Sequence, residues 1–237
     1  MKYQHIETAE FISRPNRFIA EVMLDGRRET VHVKNTGRCK ELLTEGCTVY
    51  LEKSDNPNRK TMYDLVAAEK LRGGLTPLLV NMDSQMPNSV AEEWLRKGKL
   101  FSVQATIKRE CTYGSSRFDF RIDDNGNVSF LEVKGVTLEN NGIAAFPDAP
   151  TERGVKHIRE LIRARKEGFG AYLLFVIQMK EIFELRPNYA THREFGEALA
   201  EAERSGVKLL AYDCIVTPDS IVIDKPVSIR TEVSCIE

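Results

Sequence analysis

The sequence predicts a two-domain α/β protein in which a small closed β-barrel precedes an α/β sandwich. The chain has 237 residues, which is enough for two domains with separate cores. Residues 10–82 form short strand patterns separated by turn residues, whereas beyond residue 82 helical and strand patterns alternate. We therefore expect a barrel over residues 1–82 and an α/β domain over residues 83–237.

The barrel is predicted from five strand patterns within about seventy residues. Asp25-Gly26 marks a hairpin turn between the first two, and Lys40–Leu43 is a short helical piece that ends before Gly46. The predicted strands are Arg17–Leu24, Glu29–Val33, Cys47–Lys53, Met62–Leu71 and Leu75–Asn81.

The second domain has the predicted element order α-β-β-β-α-β-α-β. Its first helix begins at Met86-Pro87-Asn88-Ser89, with Ser89 as the N-cap, and ends near Gly98. The elements that follow are a strand (Val103–Thr112), a hairpin (Arg117–Lys134), a helix (Glu152–Lys166), a strand (Ala171–Ile177), a helix (Arg193–Arg204), a strand (Val207–Tyr212) and two short strands joined at Pro218-Asp219.

Composition limits the classes of function. Apolar residues make up 42% of the chain and charged residues 29%, which is typical of a globular protein. The net charge of −1 argues against coating nucleic acid by bulk charge, so any such surface must be a local patch. The sequence predicts no membrane association and a cytoplasmic location, because no segment has the roughly 18 apolar residues of a membrane span. The five scattered cysteines are expected to be reduced thiols.

The hairpin in the second domain brings acidic residues together. Asn125-Gly126 favours a type I′ turn, and counting outward from it places Asp119 opposite Glu132 and Arg117 opposite Lys134. The side chains of Asp119, Glu132 and Lys134 are expected to share one face of the hairpin. Cross-strand side chains lie about 5 Å apart at Cβ, so the two carboxylates repel each other unless a cation lies between them. The opposite face is predicted to pack on the core through Phe118, Phe120, Ile122, Leu131 and Val133.

A divalent metal is one cation that such a pair of acids would hold. Hard oxygen ligands suit Mg²⁺ or Mn²⁺, and Lys134 would stabilise charge that develops on a phosphodiester. The alternative is an ordinary exposed hairpin whose acids are neutralised by Lys134 and nearby arginines.

The helix before three meandering strands and the helix after them resemble the core of the PD-(D/E)xK nuclease fold, and almost all of the chain resembles the sugar fermentation stimulation protein A (SfsA) family. The motifs that carry this resemblance are Asn35-Thr36-Gly37, Ser54-Asp55-Asn56-Pro57 with Arg59-Lys60, Asn81 with Pro87-Asn88, Ser116–Phe120, Glu132-Val133-Lys134 with Val136-Thr137-Leu138, and Phe146–Gly154 with Lys156-His157. The resemblance implies an OB-type β-barrel, a restriction-endonuclease-like α/β domain, non-specific DNA binding and a regulatory role in sugar utilisation.

The resemblance also implies roles for single residues. Asp119, Glu132 and Lys134 match the acidic and lysine positions of the nuclease core. Glu93 matches a helix position where related nucleases often add a carboxylate, although it would equally serve as a solvent-facing acid beside Glu92. Gly135 departs from the smooth continuation of the motif and is expected to leave the chemistry intact.

Basic residues supply candidate contacts to DNA, with RNA as an alternative ligand. Lys156 and His157 lie on the helix after the hairpin, and Arg117 lies on the hairpin itself. In the barrel, Arg59 and Lys60 lie in a loop, and Arg38 follows a segment that forms either a turn or a backbone-amide cradle for phosphate. Each of these residues would also fit an ordinary solvated surface, and a homodimer is left open.

Two functions follow from the sequence. The first is a Mg²⁺- or Mn²⁺-dependent nuclease that cleaves phosphodiester bonds. The second is a non-catalytic DNA-binding regulator of sugar utilisation genes. A small-molecule enzyme of sugar metabolism is disfavoured, because the chain has no glycine-rich phosphate loop and no glycosidase-like pair of acids.

Overall fold

The computed structural model describes residues 1–35 and 37–231. Its N-terminal sheet has the strand order β3-β2-β1-β4-β5-β6, and β3 also pairs with β5, so that five strands close into a barrel while β6 extends beyond it. Closure removes the free edges that an open sheet of this size would present. The strands are β1 (Ile6–Asn16), β2 (Ile19–Leu24), β3 (Arg27–Val33), β4 (Thr48–Lys53), β5 (Tyr63–Arg72) and β6 (Leu75–Asn81).

Two predictions for the barrel were wrong in detail. The strand β1 was not expected, because two register shifts against β2, on either side of Ser13, break the alternation of apolar and polar residues. The predicted helical piece Lys40–Leu43 is instead a turn, in which the N–H groups of Leu42 and Leu43 both donate to the carbonyl of Cys39 at 3.2 and 3.0 Å.

The C-terminal half is a sandwich with helices on both faces of a six-stranded sheet ordered β15-β14-β12-β9-β8-β7. Strand β12 runs parallel to β9 and β14, and the other neighbours are antiparallel. The elements are α1 (Met86–Arg96), β7 (Thr106–Tyr113), β8 (Ser116–Asp124), β9 (Asn127–Val136), β10 (Glu139–Asn140), β11 (Ile143–Phe146), α2 (Glu152–Lys166), β12 (Gly170–Ile177), β13 (Glu184–Pro187), α3 (Arg193–Arg204), β14 (Lys208–Thr217), β15 (Ser220–Pro226) and β16 (Ser228–Ile229).

Local signals account for the helix positions. Pro87 lies in the first turn of α1, where its missing N–H costs nothing, and the N-cap is Gln85 rather than the predicted Ser89, which lies inside the helix. Thr151 caps α2 by accepting a hydrogen bond from the N–H of Gly154 at 3.0 Å. The predicted bounds of α2 and α3 are confirmed.

The two faces of the sheet have different cores. Trp94 of α1 packs with Phe120 and Leu131 on one face. On the other face, Ile158 of α2 packs with Phe118 in the larger cluster. The prediction that Phe118 and Phe120 share a face was therefore wrong, since β8 changes face at Asp119.

A buried polar junction joins the barrel to the sandwich. The Gln178 side-chain amide donates to the backbone carbonyls of Asn81 and Asp83 at 3.0 and 3.1 Å. Asn81 in turn donates to the hydroxyl of Tyr3 at 2.8 Å. Residues at the start of the chain thus lie against the C-terminal half, where Lys2 bridges to Ser220. The boundary between residues 82 and 83 lies within this junction and stays a prediction.

No helix among the described residues is long and apolar enough to cross a bilayer. Four cysteines, at positions 39, 47, 111 and 214, are free thiols, and Cys235 lies outside the described residues.

Candidate functional site

The Asn125-Gly126 turn sets the register of the acidic hairpin as predicted. Both residues have positive φ, 54° and 82°, as a type I′ turn requires. Asp124 pairs with Asn127, and the pairing continues to Phe120 and Leu131. Beyond that pair β8 and β9 are no longer matched residue by residue, and Asp119 and Glu132 lie where the two strands separate.

Asp119 is fixed by hydrogen bonds to both of its oxygens. Its Oδ2 accepts from the backbone N–H of Val133 at 2.7 Å, and its Oδ1 accepts from Nδ2 of Asn88 at 2.8 Å. Burial and, next, the negative charge of Glu132 hold the pKa of Asp119 above its ordinary value. The two carboxylates are therefore close enough to repel each other. Asn88 was not predicted as a site residue, although it lies in one of the family motifs.

Glu132 is buried, with 2% of its surface exposed, and its two oxygens differ. Its Oε1 accepts from Nζ of Lys134 at 2.6 Å and from Nδ1 of His157. Its Oε2 is buried without a hydrogen-bond partner among the described residues. Burial alone would raise the pKa of Glu132, but the hydrogen bond from His157 and the charge of Lys134 outweigh it and lower the pKa. Glu132 is therefore a buried anion with one free oxygen.

This arrangement fits a hard divalent cation. An unpaired buried carboxylate oxygen is unfavourable, and two repelling carboxylates are relieved by a positive charge between them. Asp119 and Glu132 would be its protein ligands, and a cation such as Mg²⁺ commonly takes only one or two carboxylates and keeps several waters. The prediction that Asp119 and Glu132 share a face was wrong, since Asp119 is held by Asn88 of α1 and Glu132 by His157 of α2, and the two helices pack on opposite faces of the sheet.

A second cluster of potential ligands lies apart from this site. Glu152, His192 and Glu194 bring ligand atoms within 4.8 Å of one another. However, Nδ1 of His192 accepts a hydrogen bond from the backbone N–H of Thr151 at 3.2 Å, so the ring proton lies on Nε2, 3.4 Å from Glu152. A protonated Nε2 cannot bind a metal, and this cluster is a hydrogen-bonded helix end.

Glu93 is not brought to the acidic site. Its side chain pairs with the N-terminal ammonium group at 2.8 Å, and that group also donates to Ile221 on β15. Three strand spacings of about 4.8 Å separate β15 from β9. The side chain that α1 contributes to the site is that of Asn88.

The predicted nucleic-acid residues fall into different environments. His157 is buried and hydrogen-bonded to Glu132, so its ring is part of the acidic site. Lys156 and Arg117 are exposed and line one pocket, and Lys60 and Arg38 are exposed on the barrel. Arg59 instead forms a two-pronged ion pair with the buried Asp64, at 2.9 and 2.5 Å.

The segment around Arg38 is a clamped turn. The guanidinium group of Arg14 donates to the carbonyls of Asn35, Gly37 and Arg38 at 2.6 to 2.8 Å. The N–H of Gly37 is bonded to the side chain of Asn35, so it is not free to bind phosphate. Thr36 lies outside the described residues.

Gly135 has a packing reason to follow Lys134. A Cβ at this position would lie 2.6 Å from the side-chain oxygen of Gln178 and 2.6 Å from Cγ of Pro87. The first turn of α1 therefore approaches β9 closely, which brings the adjacent Asn88 within reach of Asp119.

Comparisons with known proteins agree with this architecture. Residues 12–75 match the SfsA N-terminal OB domain, and residues 85–220 match the sugar fermentation stimulation protein RE domain. The chain is 54% identical to a sugar fermentation stimulation protein homolog of Clostridium beijerinckii, over 94% of this chain and 96% of that protein. It is 53% identical to the homolog of Ruminiclostridium cellulolyticum, over 97% and 100%.

A solved structure shares the whole fold. The structure of Pyrococcus furiosus SfsA in complex with Ca²⁺ has a TM-score of 0.84 and 26% identity, and the match covers 97% of this chain and 98% of that one. The predicted order, an OB-type barrel followed by a restriction-endonuclease-like α/β domain, is confirmed. The chain belongs to the sugar fermentation stimulation protein (SfsA) family.

Proposed function

We propose that this protein is a metal-dependent nuclease that binds DNA and cleaves its phosphodiester bonds, with Asp119 and Glu132 as ligands for Mg²⁺ or Mn²⁺. The observation that carries the proposal is the buried Oε2 of Glu132, which has no partner among the described residues and lies beside a second carboxylate. The Ca²⁺ in the Pyrococcus furiosus complex supports it, because Ca²⁺ and Mg²⁺ both prefer oxygen ligands.

The side chains around the site have separate tasks in this proposal. Asn88 orients Asp119, and His157 orients Glu132, as partners outside a metal site commonly do. Lys134 donates one hydrogen to Glu132 and keeps two for the oxygens of a phosphodiester. A divalent cation bound here supplies Lewis-acid stabilisation of the charge that develops on the phosphate.

The test is cleavage of end-labelled single- and double-stranded DNA, and of RNA, with Mg²⁺ or Mn²⁺. Asp119→Asn and Glu132→Gln should each lower the rate by more than about a hundredfold, since loss of even an outer partner typically costs tenfold to a hundredfold. Glu201→Gln, which removes an exposed acid on α3, is the matched control and should keep the wild-type rate. Equal rates in all four proteins would contradict the proposal.

A second function is favoured by one contact. Lys134 already neutralises Glu132, so the pair is stable without a metal, as a non-catalytic DNA-binding regulator of sugar utilisation genes would require. That function gains if DNA binding in EDTA survives Glu132→Gln and no substrate is cleaved with either metal.

A further inference from the structure

A pocket of about 430 Å³ lies beside the acidic site, between the β7–β8 turn and the first turns of α2. Its polar lining includes Ser116, Arg117, Arg153, Lys156 and His157. Three of these side chains carry a positive charge. The pocket therefore suits an anion of the size of a phosphate with part of its sugar.

Ser116 contributes an unused donor. The residue is 6% exposed, and its Oγ is buried without a hydrogen-bond partner among the described residues. Buried hydroxyl groups are nearly always hydrogen-bonded, because an unmade bond costs free energy. A ligand oxygen in the pocket would supply the missing partner.

The three cations keep donors for a ligand. Lys156 uses one hydrogen, on the carbonyl of Ser115 at 2.8 Å, and has two others. Arg153 uses Nε–H, on Nε2 of His157 at 3.4 Å, which leaves its terminal nitrogens. Arg117 is paired with Glu110 at 2.8 Å, but more than half of each side chain is exposed, so this ion pair is weak.

Three acids, Glu110, Glu152 and Glu160, lie near these cations. Glu110 is committed to Arg117, and Glu160 accepts a hydrogen bond from Oγ of Ser115 at 3.3 Å. Glu152 is exposed at the start of α2 and lies near Nε2 of His192. Arg153 and Lys156 line the pocket, whereas these three acids do not.

The pocket is connected to the acidic site through hydrogen bonds. Arg153 donates to Nε2 of His157, and Nδ1 of the same ring is bonded to Glu132. A phosphate held by Arg153 would be separated from Glu132 by one imidazole ring.

We propose that this pocket binds a phosphate of the nucleic-acid substrate, with the hydroxyl of Ser116 and the side chains of Arg117, Arg153 and Lys156 as donors. The proposal rests on the proposed function for the identity of the substrate. The phosphate is either a backbone phosphodiester or a terminal phosphomonoester, since both present the same oxygens.

The test measures binding of a short fluorescent single-stranded oligodeoxynucleotide in EDTA, with either a 5′-phosphate or a 5′-hydroxyl end. Arg153→Gln and Lys156→Gln should each weaken binding about tenfold and reduce the slope of log K against log salt by about 0.7. Ser116→Ala should weaken binding similarly without changing the slope, because no charge is lost. Arg165→Gln is the matched control, an exposed arginine about 14 Å further along α2 than Lys156.

The outcomes separate the two proposals. If the substitutions weaken binding of the 5′-phosphate oligonucleotide alone, and inorganic phosphate competes with it, the pocket binds a terminal phosphate. If they weaken binding of both oligonucleotides equally, the pocket binds a backbone phosphate. Binding by Arg153→Gln and Lys156→Gln equal to that of Arg165→Gln, or no binding by the wild type, overturns the subsite even if cleavage is observed. Pocket-dependent binding without cleavage keeps the subsite and removes the nuclease. Arg153 and Lys156 are exposed, so their variants are expected to fold. These two variants test the proposal even if Ser116→Ala does not fold.

Discussion

Asp119 and Glu132 are two carboxylates of one site with opposite shifts in pKa. Glu132 has two positively polarised neighbours on one oxygen, which lower its pKa, whereas Asp119 is buried beside that negative charge, which raises its pKa. At neutral pH the raised pKa of Asp119 therefore destabilises the folded protein unless a cation is bound, whereas the lowered pKa of Glu132 stabilises it. Such a loss of folding stability is common at functional sites.

The raised pKa of Asp119 predicts a pH-dependent gain in stability for Asp119→Asn. A carboxyl group whose pKa is higher in the folded than in the unfolded state binds its proton more tightly when folded, so it destabilises the fold increasingly as pH rises above the ordinary value of 3.8. In EDTA, Asp119→Asn should be roughly 1 kcal/mol more stable than the wild type at neutral pH, and the gap should close near pH 4.

Urea unfolding at a series of pH values measures this difference, and Glu201→Gln serves as the control. Curves for Asp119→Asn and the wild type that stay parallel from acid to neutral pH would contradict it. Added Mn²⁺ should stabilise the wild type and not Asp119→Asn, because only the former keeps both ligands.

Sequence reasoning found part of this site. The Asn-Gly turn fixes the register as far as Phe120 and Leu131, next to Asp119 and Glu132, but the change of face at Asp119 was not predicted. It could not find Asn88 or the role of His157, since both depend on how α1 and α2 pack on the sheet, which no local pattern encodes. Glu93 pairs with the N-terminal ammonium group instead of lying at the site. This contact joins distant parts of the chain, so no local pattern predicts it.

At the scale of elements, two hairpins have the same turn chemistry. Asp25-Gly26 in the barrel and Asn125-Gly126 in the sandwich both have positive φ at both positions, and a Cβ added to either glycine would meet no atom within 4 Å. The two turns can therefore be compared by mutation, because they have the same backbone conformation and only the second hairpin carries the acidic site.

Gly26→Ala and Gly126→Ala should each destabilise the protein by about 1 kcal/mol, because alanine is strained at positive φ. Thermal or urea unfolding checks this loss. Only Gly126→Ala should also weaken Mn²⁺ binding, measured by calorimetry, since it disturbs the register that sets Asp119 against Glu132. Equal effects of both variants on metal binding would show that the turn does not control the site.

Element predictions succeeded where the boundary signals are local. The bounds of α2 follow from Thr151 before it and Gly168 after it, and those of α3 from Gly206. They failed where irregularity hides the period, as in β1 with its two register shifts, and where β8 changes face at Asp119. In both cases pairing with a neighbouring strand decides the conformation.

At the scale of the whole molecule, the barrel and the sandwich share one continuous cluster of buried apolar residues. The side-chain amide of Gln178 links the two halves by donating hydrogen bonds to the backbone carbonyls of Asn81 and Asp83. This contact is buried, so its loss would leave acceptors without partners.

Gln178→Leu should lower the free energy of unfolding by about 1–3 kcal/mol for each acceptor left unpaired. The chain has one tryptophan, Trp94 on α1, so its fluorescence reports on the sandwich alone, whereas circular dichroism reports on both halves. We expect the two signals to coincide during urea unfolding of the wild type and to separate in Gln178→Leu. Coincident and unshifted transitions in the variant would show that the junction adds nothing to the coupling.

The position of β9 in the middle of its sheet has a consequence for synthesis on the ribosome. Glu132 leaves the exit tunnel 25 residues before His157, and the strand that covers the other edge of β9 follows α2. During that interval Glu132 lacks its hydrogen bond to His157. One edge of β9 is also free to pair with strands of other proteins. Ribosomal pausing within this stretch would prolong the time during which this edge can aggregate or bind a chaperone.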